Sequence, residues 1–239
     1  MRIEFFARDR VEELNANFKR PQDLLGWALE IFGDKIALCS AFGAEGMVLL
    51  HMLSQMRPLV RVFTLDTGRL PGQTHELMQR VRDQYGFQID VYAPDPGELR
   101  EMVRAHGVNL FYRSVELRRL CCEVRKVRPL ARALEGLSAW ITGLRRMQAA
   151  SRSAAKRIEI DELHNGILKL NPLIDWSEQQ VWDYIAAHSL SYNSLHDRGY
   201  RSIGCAPCTR PTNPGEDYRA GRWWWERDEK KECGMHGHR

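Results

Sequence analysis

Lys35-Ile36-Ala37-Leu38-Cys39-Ser40-Ala41-Phe42-Gly43-Ala44-Glu45-Gly46 is the stretch that decides the fold. A short apolar run over 35–40 reads as a buried strand, the glycine-bearing loop follows, and a helix is expected from about Met47 to Gln55. The same alternation recurs down the chain. Val60–Leu65 reads as a strand ending at Asp66-Thr67-Gly68, Gln73–Tyr85 as a helix, Ile89–Tyr92 as a strand, and Pro96 opens a helix to about His106. Ala139–Thr142 is another strand, ending at Gly143-Leu144-Arg145-Arg146. Upstream, helical pattern runs from Arg10 to Phe32 with a break near Pro21. Short strands alternating with helices predict an α/β fold, a mostly parallel Rossmann-like sheet with helices on both faces. Such sheets bind ligands at the carboxyl ends of their strands, which puts the loops at Ser40–Glu45, Asp66–Gly68 and Gly143–Arg146 at one rim.

After Ile158 the pattern changes. Ser177-Glu178-Gln179-Gln180 has capping-box spacing and starts a helix to about His188. Beyond Tyr192 the chain is rich in Gly, Pro, Arg and Trp, and periodicity fades. The expected organisation is one α/β domain over 1–212 and a mobile C-terminal segment over 213–239.

Composition sets outer limits. The chain has 239 residues, enough for a large single core, and its 44% hydrophobic content is that of an ordinary globular protein. No apolar run approaches a membrane span, and Met1-Arg2-Ile3-Glu4-Phe5-Phe6 does not read as a signal peptide, so a cytoplasmic protein is expected. In a reducing compartment its six cysteines point to ligands or catalysis rather than disulfides. A net charge of +4 does not call for nucleic acid.

The cysteines carry the chemistry. Cys121 and Cys122 are adjacent, Cys205-Ala206-Pro207-Cys208 is a Cys-x-x-Cys pair, and Cys233 stands in the tail beside Lys230 and Lys231. Four soft ligands in two pairs fit a metal or an iron–sulfur cluster, but spacing equally allows two unrelated pairs. Adjacent positions on a regular helix point apart, so both can serve one cluster only if the helix is distorted there. Cys39, on an apolar strand, reads as a buried structural thiol. Lys126 follows Cys122 by one helical turn and shares its face. Arg145, Arg146 and Arg152 follow a strand end, where either a solvated basic face or an anion site is possible. Arg219, Arg222 and the Trp223-Trp224-Trp225 run precede Cys233, and nearby cations favour the thiolate form.

Together these segments resemble the cluster-containing assimilatory adenylyl-sulfate reductases, a branch of the phosphoadenylyl-sulfate reductase family. The resemblance covers nearly the whole chain and is carried above all by Thr142-Gly143-Leu144-Arg145-Arg146, Cys205-x-x-Cys208 and Glu232-Cys233-Gly234-Met235-His236. It implies an adenine-nucleotide α-hydrolase-like fold and a [4Fe-4S] cluster on Cys121, Cys122, Cys205 and Cys208. It further implies Cys233 as the nucleophile. Ser40, Gly43, Leu65, Thr67, Gly68, Gly143 and Arg145 match nucleotide-binding segments, whereas Lys126, Arg152, Arg219, Arg222 and His236 match positions near the phosphosulfate. Where ATP pyrophosphatases carry Ser-Gly-Gly-x-Asp-Ser, Ala41 and Phe42 replace glycines, which argues against ATP cleavage.

The implied reaction is reduction of adenylyl sulfate to sulfite and AMP through an S-sulfocysteine resolved by thioredoxin, with a homo-oligomer (dimer or tetramer) among the states allowed. The alternatives are a reductase for 3′-phosphoadenylyl sulfate, a tRNA-thiolating ATP pyrophosphatase, and a cluster-bearing regulator.

Overall fold

The computed structural model of the chain describes residues 8–56, 60–226 and 231–235. The expected break at Pro21 separates α1 (Arg8–Asn17) from α2 (Pro21–Phe32). Then follow β1 (Ile36–Cys39), α3 (Ala44–Ser54), β2 (Arg61–Leu65), α4 (Gly72–Tyr85), β3 (Ile89–Tyr92) and α5 (Pro96–His106). Asp95 caps α5 by accepting from the backbone N–H groups of Gly97 and Glu98, with Pro96 in the first turn.

The strands form one six-stranded sheet in the order β3-β2-β1-β4-β6-β5, where β4 is Ala139–Ile141, β5 Ile158–Asp161 and β6 Ile167–Leu170. β1 pairs in parallel with β2 and with β4, and β4 in parallel with β6, while β5 runs antiparallel to β6. The strands at the centre are buried on both faces, which is why Ile36-Ala37-Leu38 and Ala139-Trp140-Ile141 are unbroken apolar runs. The strand order reverses between β1 and β4. In open parallel sheets such a reversal is where ligands bind, beyond the strands' carboxyl ends.

Past Ile158, where the alternation ends in the sequence, the structure adds a hairpin. Asn165 and Gly166 both take left-handed φ values, 59° and 71°, and turn β5 into β6. Asn-Gly is the strongest short-range hairpin signal, masked here by the interposed turn Glu162–His164. The expected capping box is present: Ser177 accepts from the Gln180 backbone at the start of α8 (Glu178–Ala187), and the Gln180 side chain reaches back.

The chain divides into two compact units. The first comprises Met1–Phe63, Glu76–Asp90 and Gly136–Asn193; the second comprises Thr64–His75, Val91–Glu135 and Ser194–Arg239. The main core, including Leu24, Leu38, Val48 and Leu170, lies in the first. The second has its own core, which contains Phe111, Val124, Trp223 and four cysteines, Cys121, Cys122, Cys205 and Cys208. Of the segment expected to be mobile, Trp223 is fully buried and Glu226 is held by an ion pair.

The expected helix distortion falls directly after the cysteine pair. α6 (Val115–Cys122) runs into a π-helical turn over Glu123–Val127 and then into α7 (Arg128–Leu134). Pro129 supplies the cause: it has no N–H to donate to the carbonyl of Arg125, so the ladder widens over the turn before it.

Candidate active site

In the first unit, the loop after β1 meets the loop after β4. Ser40 is buried, and its Oγ accepts from the backbone N–H of Phe42 at 3.2 Å. Phe42, standing where related loops carry glycine, adopts a left-handed φ of 54° while fully buried. Its ring holds a backbone shape that glycine adopts freely and that costs other residues about 1–2 kcal/mol. Gly43 is the N-cap of α3. The next loop comes so close that a Cβ at Gly143 would lie 2.9 Å from the Glu45 Cβ, so only glycine fits.

Glu45 is the hub of this region. Its carboxylate accepts from Arg145 Nε at 2.7 Å and from Gln148 Nε2 at 2.9 Å. Arg145 is buried, and it also donates to the Trp176 carbonyl at 3.3 Å. Arg152 donates to Gln148 Oε1. Arg145 and Arg152 therefore belong to a network that ties loops together. Its carboxylate belongs to the first turn of α3, near the helix end that an anion would otherwise occupy. Glu45 and Gln148 were not singled out in the sequence, because a glutamate in a first helical turn is ordinary until its partner, 100 residues away, is known.

The second unit holds the thiols. Cys121, Cys122, Cys205 and Cys208 are buried, unbridged, and line one pocket. Thr67 Oγ1 and Cys205 Sγ lie 3.2 Å apart. Gly68 donates its N–H to Asp66 Oδ1 at 2.8 Å, and Leu65 closes β2 just before them. Burial drives the Cys122 and Cys208 thiols up to about 12 and raises Cys121. Burial works the same way on Cys205, yet Lys126, the Thr67 hydroxyl and Arg222 outweigh it and bring that thiol down. On Lys126 itself, burial opposes the charge, but Cys205, Cys233 and Cys122 prevail over it and over Arg222, pushing the ammonium up to about 12.

The same pocket is lined by Arg69, Arg118, Arg125, Lys126 and Arg222, and no carboxylate is among its described lining residues. Arg118 is neutralised by Glu226. The other guanidinium groups find neutral acceptors: Arg69 the Val108 carbonyl, Arg125 the Thr67 carbonyl and Arg222 the Ile203 carbonyl. Arg222 also lies 4.8 Å over the Trp223 ring. Cys233 packs against the core cluster that contains the four thiols. Its neighbour Gly234, at a left-handed φ of 88°, lies on Val127 of the π-turn, where a Cβ would come within 3.3 Å of that side chain. Arg219 donates to the Lys231 carbonyl at 3.1 Å and to the Glu232 carboxylate at 3.3 Å. His236 lies outside the described residues.

The donor set suits an iron–sulfur cluster: soft, buried thiols in an apolar core, with hydrogen-bond donors around the sulfurs. Among the described residues no three His, Cys, Asp or Glu side chains converge as a site for a single metal ion. Arg69, Arg118 and Arg125 were missed in the sequence, where charges on an amphipathic helix or in a loop read as solvated.

Comparison with known proteins agrees with this geometry. The phosphoadenosine phosphosulfate reductase domain matches residues 35–211. The chain is 52% identical to the adenosine 5′-phosphosulfate reductase of Allochromatium vinosum over 85% of its length and 79% of that protein's. It is 47% identical to the enzyme of the same name from Burkholderia cepacia, over 94% of this chain and 89% of the relative. Among solved structures, a phosphoadenylyl-sulfate reductase from Candida auris in complex with phosphate superposes with a TM-score of 0.74 at 33% identity, covering 86% of this chain and 98% of that one. Candida glabrata FMN adenylyltransferase, at 14% identity and a TM-score of 0.58 over 87% of this chain and 67% of its own, shares the fold alone. The loops that meet beyond β1 and β4, the paired thiols and these matches together make the chain a member of the phosphoadenosine phosphosulfate reductase family.

Proposed function

We propose that the protein reduces adenylyl sulfate to sulfite and AMP. The observation that carries this is the second unit's pocket, where Arg69, Arg125, Lys126 and Arg222, with no carboxylate partner among the described residues, stand among four thiols and Cys233 packs against the same core. Positive charge left unbalanced by protein acids suits an anion, and a phosphosulfate is one. The names of the bacterial relatives favour the nucleotide without a 3′-phosphate.

The Cys233 thiolate attacks the sulfur of adenylyl sulfate, forming an S–S bond as the bond from sulfur to the phosphate oxygen breaks. AMP leaves with that electron pair, and a sulfonate remains on Cys233. A dithiol donor, thioredoxin in this reading, then attacks the Cys233 sulfur, releases sulfite and closes its own disulfide. An anion attacks an anion here, so Lys126, Arg219 and Arg222, with His236, hold the phosphosulfate and offset its charge. In the first unit Ser40, Gly43 and Gly143 serve nucleotide binding, with Arg145 and Arg152 fixing their loops; in the second, Leu65, Thr67 and Gly68 do so. A [4Fe-4S] cluster held by Cys121, Cys122, Cys205 and Cys208 would supply a fixed frame and local electrostatics.

Anaerobic incubation with adenylyl sulfate followed by intact-mass and peptide-mass measurement tests this reading. A sulfonate adduct on Cys233 with release of AMP supports it. No adduct, or an adduct only with 3′-phosphoadenylyl sulfate, overturns the assignment of substrate.

A further inference from the structure

Arg118 has no part in the reaction described above, yet all three of its guanidinium nitrogens are engaged. It lies on α6, one turn before Cys122, and is fully buried. Its Nε and Nη2 donate to the two oxygens of Glu226 at 2.8 and 2.9 Å, a bidentate pair with side chains only 1% and 3% exposed. Its remaining nitrogen, Nη1, donates to the main-chain carbonyl of Glu232 at 2.6 Å. The guanidinium carbon sits 4.6 Å over the Trp223 ring. A burial this deep is tolerable for a charge only when its partner is fixed and every donor is used. What Arg118 holds is therefore informative. One contact is on the near side of residues 227–230, one is on the far side, and the far one is the residue before Cys233.

We infer that Arg118 is a positioning residue, a latch that fixes the Cys233 backbone onto the helix carrying Cys121 and Cys122. The inference rests on Cys233 being the reacting thiol, but the latch itself is a statement about where that thiol is held. Arg219 grips the same segment through the Lys231 carbonyl and the Glu232 carboxylate, so the latch has two arms. Arg118 is the arm that acts on main chain, and it does so from the element that also bears two candidate cluster ligands. A guanidinium can do this because its donors fork in one plane toward a carboxylate and a carbonyl at once; an ammonium has the charge but not the fork.

The test compares Arg118→Met, Arg118→Lys and Glu226→Gln in the intact, cluster-loaded protein. One arm measures alkylation of Cys233 by iodoacetamide, read by peptide mass. The other measures single-turnover release of AMP from adenylyl sulfate. With the latch broken, Cys233 alkylation accelerates about tenfold, the factor expected for losing a charge-assisted hydrogen bond. AMP release slows by on the order of 10²-fold at saturating nucleotide, as displacement of a reacting group by about 1 Å does, while the half-saturating concentration barely moves. Arg118→Lys behaves like Arg118→Met. If the lysine variant matches the parent in both arms, a simple charge effect replaces the latch. If folded variants alkylate at the parent rate, the latch is overturned. If neither Arg118 variants nor Glu226→Gln keep the parent's circular dichroism, Arg118 belongs to the general scaffold and the latch is overturned too. Failure of the parent to release AMP would count against the proposed function, while the alkylation arm still reads the latch.

Discussion

The two units differ in how they hold buried arginine, apart from Arg118 of the second, which Glu226 neutralises. In the first, Arg145 meets the Glu45 carboxylate at 2.7 Å and Gln148 completes the network, so charge is cancelled within the protein. In the second, Arg125 and Arg222 donate to main-chain carbonyls, and Lys126 draws its positive charge's support from thiols rather than acids. Balanced charge locks loops, whereas charge with no acid partner among the described residues suits the anion proposed above. The difference predicts that substitutions at Arg125, Lys126 and Arg222 strike chemistry and leave folding intact, and that substitutions at Glu45 and Arg145 strike folding.

The largest expected effect is Cys233→Ser, which should abolish the sulfonate adduct altogether while iron content and cluster absorption stay at parent level. Loss of the absorption would place Cys233 among the ligands and break the separation between a holding set and a reacting thiol. Conversely, Cys208→Ser should remove the iron, measured by elemental analysis, because a hydroxyl cannot replace a soft thiolate. Lys126→Ala comes next. It should lower kcat/KM by about 10²–10³-fold, the usual cost of one group that stabilises developing charge, with the melting temperature little changed. A large fall in melting temperature instead would show that Lys126 is balanced structure, like Arg145.

How far these two regions were legible in the sequence follows from the range of their interactions. The strand–loop–helix at Ile36–Ser54, the cap at Ser177 and the proline start of α5 are local patterns, and the structure reproduces each. The helix distortion at Cys121-Cys122 was foreseeable from the geometry two adjacent ligands need, though its location one turn before Pro129 rests on a missing N–H. Arg118 was not legible: its partner Glu226 lies 108 positions away, and on α6 it looks like any arginine of a solvated face. The hairpin β5–β6 was missed because a turn separates the Asn-Gly signal from its first strand. Phe42 was noticed as a departure from glycine, but the left-handed backbone it has to hold appears only in three dimensions.

In the first unit, Glu45→Gln sharpens the comparison. It leaves a buried guanidinium facing a neutral amide, and breaking a buried pair in this way costs about 3–5 kcal/mol. For a chain of this size that lowers the melting temperature by roughly 10 °C, measurable by calorimetry. A stability loss this large without a matching loss in kcat for the folded fraction is what a loop lock predicts. Loss of activity with the melting temperature unchanged would move Glu45 and Arg145 into the reacting set.

The smallest effect concerns a cluster outside both networks. His51 at the end of α3 has its Nδ1 3.0 Å from the Tyr184 hydroxyl and its ring 4.7 Å from the ring of His188. Burial, and then repulsion from His188, lower its pKa. A depressed folded value means that the unfolded chain binds the proton more readily. Stability from this group is therefore fully present above the unfolded value of about 6.5 and is lost as pH falls through the folded value. Because the ring is partly exposed, screening keeps the effect small, about 1 °C in melting temperature between pH 7 and pH 5. His51→Gln should flatten that part of the pH profile and leave AMP release untouched. If the histidine variant instead changes turnover, the first unit is more than a frame for the nucleotide loops, and the contrast between a charge-balanced unit and a reactive one fails at its weakest point.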